Sequence, residues 1–468
     1  MRTISELAER FSLEVFGDAS LELSAVALNT SSVTAGSLFI AVQGATSHGL
    51  EYLEKAISFG AIAVLSDKRE QLSITNLYHP DPRKIAGAIA NEVYGTLDSN
   101  MQLYAVTGTN GKTSTIFYLS ELLNALGQDT GLISSAYSRV GTLRVPADLT
   151  TPEAPRIHQL LSEMRSQHQF SAAIEASAQG LTRSRLDSLH FKVAGFTNLS
   201  RDHLDDYQDM DNYLAAKAKL FSPEFADKAV VMLEDAYSRS LYEAIEIPKV
   251  AIGREYHYSF ESSELAIGGK FQLRATLNLS ALMVKNLVLA IVMLLEDGYQ
   301  PDKIERALEV ISTAVPGRLQ RVSAREPAVF VDYAHTPAAI EAGARELAKQ
   351  FGELTVILAA SGDRDSGKRE AMAQAAKTYA TRVVVTDQHP RSEDPATIRA
   401  QLLAGLGDFE AVLEVADPAD AIGEAVRQTS KSGAVLWCGP GHLNYREVKG
   451  EKIPFDAISL SRKALGDD

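Results

Sequence analysis

Apolar residues recur along the first part of the chain in short runs separated by helical patterns. The runs at 38–42 and 61–65 predict two buried strands, and the segments around them carry apolar residues at helical spacing. Turn-forming residues at Gly95 and at 98–100 close this part of the chain. Residues 1–98 therefore predict a small α/β unit.

From residue 316 onward, predicted strands and helices alternate strictly. Such alternation is typical of a doubly wound, mostly parallel sheet, in which ligands bind beyond the carboxyl ends of the strands. Four of the strand-end loops are rich in polar or glycine residues, so we expect a binding site at that edge. The predicted strands are 329–333, 355–359, 382–386, 411–415 and 434–438, and the four loops are 332–335, 361–365, 388–391 and 439–442.

The middle part, residues 99–315, opens on an apolar strand that leads into Gly108-Thr-Asn-Gly-Lys-Thr113 and then into a helical pattern. In this context the backbone N–H groups of the loop and the N-terminus of the helix converge on one point and bind phosphate. Lys112 would reach the outer phosphates of a nucleotide, and the Thr113 hydroxyl would ligate magnesium. An ordinary strand-to-helix turn that contains Gly-Lys-Thr is the alternative.

The three parts together predict an α/β protein with three domains. We expect an N-terminal α/β unit (1–98), a central nucleotide-binding, P-loop ATPase-like domain with a parallel sheet (99–315), and a C-terminal Rossmann-like, doubly wound domain with a second binding site (316–468). A length of 468 residues, with 45% hydrophobic and 23% charged residues, agrees with about three globular domains.

The net charge and the cysteine content exclude some kinds of binding surface and metal site. The formal net charge of −14 argues against a nucleic-acid-binding surface, so local Arg and Lys residues must hold any anionic substrate. The single Cys438 excludes an intramolecular disulfide and a cysteine-built zinc site, which suits a reducing cytoplasm. No apolar run is long enough to span a bilayer, and the N-terminus lacks the apolar core of a signal peptide, so we expect a cytoplasmic protein without membrane insertion.

Three residues of the middle part are candidate metal ligands. Glu175 ends an apolar strand beside the predicted P-loop strand, and a solvated strand terminus is the alternative. His203 lies in a short acidic stretch, although a lone histidine is more often structural. Lys217 completes the apolar face of a helix predicted over 210–221, and a buried lysine is costly unless it is paired or altered. Carbamylation would turn it into a metal-binding anion, whereas the pattern alone favours a lysine that reaches water.

Together these motifs resemble the Mur ligase family, ATP-dependent amide ligases of peptidoglycan synthesis, and within it the MurE type, which adds the third residue of the stem peptide. Folylpolyglutamate synthase is similar in architecture, but the run 332–337 and the N-terminal unit fit the MurE type better. The matching stretches follow the family's order: 108–113, 150–153, 175–181, 197–205, 215–217, 316–318, 332–337 and 362–365.

The resemblance implies ATP and Mg²⁺ as cofactors, with UDP-N-acetylmuramoyl-L-alanyl-D-glutamate and a free amino acid as substrates of a monomer. It also implies that the N-terminal domain (1–98) binds the UDP-linked substrate, the central domain (99–315) binds ATP and the C-terminal domain (316–468) binds the amino acid. Catalysis would involve Lys112, Lys217, Arg318, Asp332 and His335. The nucleotide would contact Gly108, Thr109, Asn110, Gly111, Lys112, Thr113, Ser114, Asn286 and Arg318, and the metal would be held by Thr113, Glu175, His203 and carbamylated Lys217. The UDP-linked peptide would contact Leu28, Thr30, Ala45, Thr46, Ser47, Thr150, Thr151, Ser177, Arg183 and Arg185; the amino acid would contact Arg364, Gln388, His389, Pro390, Arg391 and Gly441.

The expected amino-acid pocket departs from the family pattern. Enzymes that select meso-diaminopimelate carry Asp-Asn-Pro-Arg and a later Gly-His-Glu, where this chain has Gln388-His-Pro-Arg391 and Gly441-His-Leu443. Arg391 could pair with a distal carboxylate, which favours diaminopimelate. Leu443 removes the carboxylate that would meet a distal ammonium group. Diaminopimelate, lysine, ornithine and a shorter diamino acid all stay open.

The implied reaction joins a carboxylate to an amine through an acyl phosphate. Because Arg318 and Arg364 lie in the third unit and the P-loop lies in the second, the two domains would have to close on each other. Two alternatives remain from the sequence. One is a binding module that uses ATP to change shape without forming a bond, and the other is an amide ligase that acts on folate.

Overall fold

The computed structural model describes residues 2–44, 47–96 and 100–467. Three main sheets occupy separate stretches of the chain, at 14–78, 102–276 and 320–438. This order agrees with the predicted division at residues 98/99 and 315/316, but the first of these boundaries lies outside the described residues. The division into three domains therefore stays a prediction.

The described part of the N-terminal region contains seven strands, five in one sheet and two, β1 and β3, in a separate antiparallel pair. Its strands are β1 (Arg2–Thr3), β2 (Glu14–Phe16), β3 (Glu22–Leu23), β4 (Ala25–Ala27), β5 (Ser37–Ile40), β6 (Ala61–Ser66) and β7 (Thr75–Tyr78), and its helices are α1 (Ile4–Phe11), α2 (Leu53–Ser58) and α3 (Pro82–Tyr94). The sheet has the order β2-β7-β6-β5-β4, with β2 antiparallel and the other strands parallel. The two apolar runs predicted as strands are β5 and β6.

The central region contains an eleven-stranded sheet. Its strands are β8 (Gln102–Thr107), β9 (Thr130–Ile133), β10 (Tyr137–Val140), β11 (Leu143–Pro146), β12 (Ser171–Glu175), β13 (Val193–Phe196), β14 (Ala229–Met232), β15 (Lys249–Ile252), β16 (Tyr256–Glu261), β17 (Glu264–Gly269) and β18 (Leu273–Thr276). Its helices are α4 (Lys112–Ala125), α5 (Ala154–Ser166), α6 (Ala178–Thr182), α7 (Leu204–Tyr207), α8 (Met210–Ala218), α9 (Ala236–Ala244), α10 (Ala281–Glu296) and α11 (Pro301–Leu308).

The middle of this sheet is parallel, in the order β9-β12-β8-β13-β14-β15. The antiparallel strands β10–β11 and β16–β18 extend the two edges, and the sequence analysis did not predict them. Helix α10 is buried along almost its whole length and packs with α4 against the sheet. Because the P-loop strand β8 lies inside the parallel part, its carboxyl end meets those of β12 and β13 at one edge.

The C-terminal region is a six-stranded doubly wound sheet. Its strands are β19 (Gln320–Arg321), β20 (Ala328–Asp332), β21 (Leu354–Leu358), β22 (Arg382–Val385), β23 (Val412–Glu414) and β24 (Ala434–Cys438), followed by the hairpin β25 (Tyr445–Val448) and β26 (Glu451–Pro454). Its helices are α12 (Pro337–Phe351), α13 (Arg369–Lys377), α14 (Pro395–Leu406), α15 (Pro418–Gln428) and α16 (Ala457–Leu465).

The strand order in the C-terminal sheet is β19-β20-β24-β21-β22-β23, and only β19 is antiparallel. The five predicted strands are β20 to β24, each displaced by at most one residue at either end. The short strand β19 and the hairpin β25–β26 were not predicted. Across the described ranges, none of the helices combines the length and apolar character needed to cross a bilayer.

Candidate active site between the central and C-terminal sheets

The predicted phosphate-binding loop connects β8 to α4. Gly108 has φ 141° and Gly111 has φ 87°, a region that side chains disfavour. A Cβ at Gly108 would lie 1.9 Å from Thr197 Oγ1, and one at Gly111 would lie 2.2 Å from Asn286 Oδ1. Both positions therefore require glycine. The second contact also places Asn286, the predicted nucleotide-contacting asparagine of α10, against the loop.

The rest of the loop is held by the end of the neighbouring strand β13. The N–H groups of Thr109 and Asn110 donate to Asn198, at 2.8 and 3.1 Å. Thr113 and Ser114 are buried in the first turn of α4, where the positive end of the helix dipole favours an anion. The loop is therefore preorganised by its own domain to face an anionic group.

Lys112 curls back over this loop. Its Nζ donates to the backbone oxygens of Gly108 (3.1 Å) and Thr109 (2.9 Å) and lies 4.0 Å from Glu175 Oε1. Burial lowers the pKa of Lys112, and the nearby carboxylate of Glu175 opposes that shift. The lysine is thus a buried cation at the point where the sequence predicts phosphate.

A cluster of hydroxyl and carboxylate oxygens lies beside the start of α4. The Thr113 hydroxyl donates to Glu175 Oε2 at 2.9 Å and is 3.0 Å from Ser135 Oγ. The backbone N–H of Ser135 donates to the same carboxylate oxygen at 3.0 Å. Carboxylate and hydroxyl oxygens are the ligands that Mg²⁺ prefers. Thr113 and Glu175 therefore fit the predicted metal site, and Ser135 is a member that the sequence analysis missed.

Arg318 reaches this cluster from the C-terminal domain. Its Nη2 donates to Thr113 Oγ1 at 2.9 Å and to Ser135 Oγ at 3.1 Å. The guanidinium stacks on the ring of Tyr333, 4.6 Å from its centroid, and its Nη1 is 3.2 Å from His442 Nδ1. Two aromatic side chains of one domain thus hold an arginine against the phosphate-binding loop of the other.

Lys217 lies on the opposite side of the loop. It is 1% exposed in α8, its Nζ donates to the backbone oxygen of Gly108 at 2.7 Å, and it lies 4.2 Å from the centre of the Tyr213 ring. Within the described residues it forms no salt bridge. Burial, together with the charge of Lys112, places its pKa well below the ordinary value. The lysine does not reach water, so the interpretation favoured by the apolar pattern alone was wrong.

Asp202 contacts side chains of both the central and the C-terminal domain. Its carboxylate accepts a hydrogen bond from Lys368 Nζ at 2.8 Å and lies 3.6 Å from His335 Nε2, both in the C-terminal domain, and 3.5 Å from His203 Nε2. Burial would raise the pKa of Asp202, but these neighbours hold it well below its usual range. Burial lowers the pKa of His203 to about 4. A neutral imidazole suits the metal-binding role predicted for His203, which stays a prediction.

The metal site is only partly assembled from acidic and histidine side chains. Within the ranges that the structure describes, no three His, Cys, Asp or Glu residues form a group that could hold a metal ion. Thr113 and Glu175 are in contact, whereas His203 pairs with Asp202. An additional anionic ligand from Lys217 would complete the predicted set.

Asp332 differs from the other predicted catalytic residues. It is half-buried at the end of β20, and its carboxylate accepts hydrogen bonds from the backbone N–H groups of Leu319 and Ala334. Burial raises its pKa. The bond to Leu319 fixes the turn that carries Arg318, so the geometry supports a positioning role for Asp332.

The residues predicted to bind the muramoyl peptide lie beside Glu175. The Thr151 hydroxyl donates to the backbone oxygen of Glu175 at 2.6 Å and to Ser177 Oγ at 3.0 Å. Arg185 is buried and donates through Nε and Nη2 to Glu153 Oε1, at 3.1 and 2.8 Å. Its guanidinium is thus already engaged by the protein. Thr150 precedes this group, and the half-exposed Arg183 pairs with Asp206 at 3.3 Å.

The residues predicted to hold UDP follow strands of the N-terminal sheet. Leu28 and Thr30 follow the carboxyl end of β4, and Ser47 lies in the segment after β5, with its hydroxyl 3.1 Å from that of Tyr52. The carboxyl edge of a parallel sheet is the usual place for a ligand. Ala45 and Thr46, which are also predicted to contact the UDP-linked substrate, lie outside the described residues.

The expected amino-acid pocket lies at the carboxyl edge of the C-terminal sheet. Arg364 is exposed at the tip of the loop after β21. The loop that contains Gln388, His389, Pro390 and Arg391 packs on it, because the N–H of Gly362 donates to the His389 oxygen at 2.9 Å. Burial and the charge of Arg391 lower the pKa of His389 to about 4. Gly441 lies against Tyr333, and a Cβ there would come within 2.7 Å of that side chain.

The structure therefore brings Lys112, Glu175, Lys217 and Arg318 around one loop. It leaves Arg364 exposed in the adjacent domain, with no hydrogen bond from its side chain to the rest of the described chain. Tyr333 and His442, which support Arg318, lie in strand-end loops that the sequence analysis identified as rich in polar residues. Lys368 was missed, although it follows Gly362-Asp-Arg-Asp365 by three residues.

Two lysines of low exposure at a phosphate-binding loop, a hydroxyl–carboxylate pair for a metal, and an arginine from a second domain define a nucleotide-dependent enzyme whose site is built by two domains. Comparison with known proteins agrees. Residues 106–291 match the Mur ligase middle domain, and residues 317–441 match the Mur ligase glutamate ligase domain.

Full-length relatives carry the comparison further. The chain is 40% identical to the UDP-N-acetylmuramyl-tripeptide synthetase of Leifsonia xyli, with 99% of this chain and 96% of the relative covered. It is 35% identical to the UDP-N-acetylmuramoyl-L-alanyl-D-glutamate--2,6-diaminopimelate ligase of Corynebacterium glutamicum, with 95% and 92% covered. The chain belongs to the Mur ligase family.

Solved structures show the same architecture. A UDP-N-acetylmuramoyl-L-alanyl-D-glutamate--2,6-diaminopimelate ligase matches with a TM-score of 0.64 and 26% identity over 99% of both chains. The folylpolyglutamate synthase of Mycobacterium tuberculosis matches with a TM-score of 0.63, but at 18% identity and over 82% of this chain and 95% of that one. The second match shows a shared fold alone.

Proposed function

We propose that this chain adds a diamino acid to UDP-N-acetylmuramoyl-L-alanyl-D-glutamate with consumption of ATP. The observation that carries this proposal is the contact of Arg318 with Thr113 and Ser135, because it joins the amino-acid domain to the phosphate-binding loop. The full-length relatives named for this tripeptide synthesis support the same activity.

The donor groups at the loop fit a magnesium ion. Thr113 Oγ1 and Glu175 Oε2 are 2.9 Å apart and face the same space as Lys112 and Arg318. When bound, the ion would neutralise charge on the phosphate oxygens of ATP. His203 is proposed as a further ligand, since its pKa near 4 keeps the imidazole neutral.

Lys217 fits the proposed carbamate. Carbon dioxide adds only to an uncharged amine, and burial favours the uncharged form of this lysine. The product would be an anion, and the neighbouring Lys112 carries a positive charge that would favour it. Carbamylation would thus convert a buried amine, whose charged form burial disfavours, into the carboxylate-like ligand that the cluster lacks.

The remaining residues of the chain hold and orient the reactants. Lys112 and the N-terminus of α4 bind the β- and γ-phosphates, and Arg318 stabilises the charge that develops on the transferred phosphoryl group. An oxygen of the D-glutamyl carboxylate bonds to phosphorus, ADP leaves, and an acyl phosphate results. The amine of the incoming amino acid then bonds to the acyl carbon, and phosphate leaves with that oxygen.

Domain closure protects this intermediate from water. The pairs Asp202–Lys368, at 2.8 Å, and Arg201–Asp365, at 3.5 Å, hold the C-terminal domain against the central domain beside the site. An acyl phosphate hydrolyses if water reaches it, so the closed arrangement favours attack by the amine. Since ATP and UDP-linked precursors are cytoplasmic compounds, we place the reaction in the cytoplasm, catalysed by a monomer.

A substrate-omission assay tests the proposal. Phosphate release should require ATP, the UDP-linked dipeptide and an amino acid together, and mass spectrometry should find a UDP-linked tripeptide. Phosphate release that is indifferent to the amino acid would instead identify a nucleotide-gated binding module. Turnover with a pteroyl substrate in place of the UDP-linked dipeptide would identify a folate ligase.

A further inference from the structure

The hairpin β25–β26 places Glu447 in the expected amino-acid pocket. The N–H of Arg391 donates to the backbone oxygen of Glu447 at 3.1 Å, and the N–H of Glu447 donates to His389 Nδ1 at 3.0 Å. A second bond between main-chain groups, in which the N–H of Lys449 donates to the oxygen of Arg391, measures 2.8 Å. The hairpin is therefore fixed on the loop after β22 by main-chain bonds.

The side chain of Glu447 is directed towards the same loop. Its Oε2 accepts a hydrogen bond from Arg391 Nε at 3.1 Å, while Arg391 Nη1 donates to the backbone oxygen of Gly362 at 3.2 Å. Gly362 begins the stretch that carries Arg364. The carboxylate thus lies where loops from three strands meet, those after β21, β22 and β24.

We propose that Glu447 binds the distal ammonium group of the incoming diamino acid. This inference rests on the function proposed above and assigns the group that selects its amino acid. A distal ammonium group needs a carboxylate partner, and position 443, where the diaminopimelate-selecting pattern has glutamate, is Leu443 in this chain. Glu447 supplies that carboxylate from a different position, four residues later on the hairpin.

Glu447 retains the capacity to accept another donor. Its side chain is 35% exposed, and within the described ranges its Oε1 accepts no hydrogen bond. A carboxylate has about four acceptor positions, so one bond from Arg391 leaves room for an ammonium group. The ion pair is not needed to hold the hairpin, because the backbone bonds already do so and partly exposed pairs add little to stability.

The other carboxylates near Arg391 already accept hydrogen bonds through both of their oxygens. Asp363 accepts from the N–H and hydroxyl of Ser392, at 3.1 and 2.7 Å. Both oxygens of Glu393 accept from Arg369, each at 2.9 Å. In this group, Glu447 is the carboxylate with an open oxygen, which singles it out as the partner of a ligand cation.

The test compares matched amino acids that differ only in the distal ammonium group. The pairs are L-lysine with L-norleucine, and diaminopimelate with 2-aminopimelate. The readout is kcat/KM for phosphate release with ATP and the UDP-linked dipeptide. The wild-type enzyme should prefer the ammonium-bearing member of the pair it uses by at least about tenfold, the size expected for a hydrogen bond between charged groups.

Glu447→Gln should abolish most of that preference while the rate with the neutral member stays within about twofold, which also reports that the variant is folded. Glu424→Gln is the matched control, because it removes a carboxylate from an Arg–Glu pair on α15 of the same domain. The control should keep the full preference.

Three results would overturn the inference or its basis. A Glu447→Gln enzyme that keeps the wild-type preference would exclude Glu447 as the ammonium partner while leaving the ligase function intact. A wild-type enzyme that prefers the amino acid without the distal ammonium group would also exclude Glu447 as the ammonium partner and leave the ligase function intact. Failure of the wild-type enzyme to form an amide with any amino acid would instead overturn the proposed function itself.

Discussion

The charged groups at the edges of the central and C-terminal sheets are treated in opposite ways. In the C-terminal sheet three of them are paired within the domain: Arg369 with Glu393, Arg391 with Glu447, and Asp332 with backbone N–H groups. At the central edge, Lys112 and Lys217 both donate to one backbone oxygen, that of Gly108, and Lys217 has no salt bridge within the described residues.

The difference separates two kinds of binding surface. At the C-terminal edge the buried Arg369 and its neighbour Arg391 are neutralised within the domain, which suits the recognition of a small zwitterion. The central edge gathers two lysines at low exposure beside one loop, with a carboxylate 4.0 Å from Lys112 and no salt bridge to Lys217 within the described residues; this arrangement costs stability and favours a polyanion. Stability and activity should therefore respond oppositely to charge removal at the two edges.

The largest effect is expected from Lys217→Ala. Turnover should fall by at least about 10³-fold, since the variant lacks both the lysine and the carbamate proposed to help hold the metal. Excess bicarbonate should restore little of the activity. Lys219→Ala is the matched control, because Lys219 lies exposed just beyond the same helix and should leave the rate unchanged. Undiminished activity of Lys217→Ala would exclude the carbamate.

Arg318→Ala comes next. We expect kcat to fall by about 10²-fold, with ATP binding nearly unchanged, because this arginine acts on charge that develops during phosphoryl transfer. Single-turnover rates and nucleotide titration separate the two quantities. Arg321→Ala, which removes an arginine paired with Glu326 at the surface, should have neither effect. Equal losses in binding and rate would show that Arg318 only holds the nucleotide.

Glu393→Gln tests the C-terminal edge. The substitution leaves the buried Arg369 without its anionic partner and should lower the free energy of unfolding by about 2 kcal/mol. Trp437, the only tryptophan, lies in β24 and reports unfolding of this domain by fluorescence in urea.

The effect of Glu393→Gln should depend on pH. Hydrogen bonding to Arg369 keeps the pKa of Glu393 below its ordinary value, so its stabilisation is complete above the unfolded-state pKa and is lost as the pH falls through the folded-state pKa. The difference between wild type and variant should shrink accordingly in acid. A constant difference would assign the effect to packing.

The smallest predicted effect is an increase in the free energy of unfolding. Lys217→Met should raise the free energy of unfolding by about 1 kcal/mol in bicarbonate-free buffer, because it removes an amine that must lose its hydration, and is disfavoured in its charged form, when it is buried. Thermal unfolding followed by circular dichroism measures it. A destabilised variant would mean that the contacts of Lys217 with Gly108 and Tyr213 outweigh its desolvation, and the contrast between the two edges would fail.

Much of this arrangement could be predicted from local sequence. The loop at Gly108, the strand ending in Glu175 and the five C-terminal strands all follow from apolar periodicity and glycine positions. The burial of Lys217 could not, because an apolar helical face does not say whether a lysine on it reaches water. That outcome depends on the packing of α8 against a loop more than 100 residues away.

Contacts between domains could not be predicted from the pattern of apolar and polar residues either. The pairing of Lys368 with Asp202 joins residues 166 positions apart and depends on how two sheets meet. The hairpin β25–β26 was missed because its alternating residues are mostly polar and exposed, so no apolar run marks it. Glu447, the residue assigned here to the amino-acid pocket, lies on that hairpin.

The central claim is that the two domains meet to make an amide through an acyl phosphate. It is tested most directly by labelling the D-glutamyl side-chain carboxylate of the UDP-linked dipeptide with ¹⁸O and analysing the released phosphate by mass spectrometry. The account predicts that one labelled oxygen is transferred to phosphate in each turnover that forms an amide. Amide formation with unlabelled phosphate would contradict it.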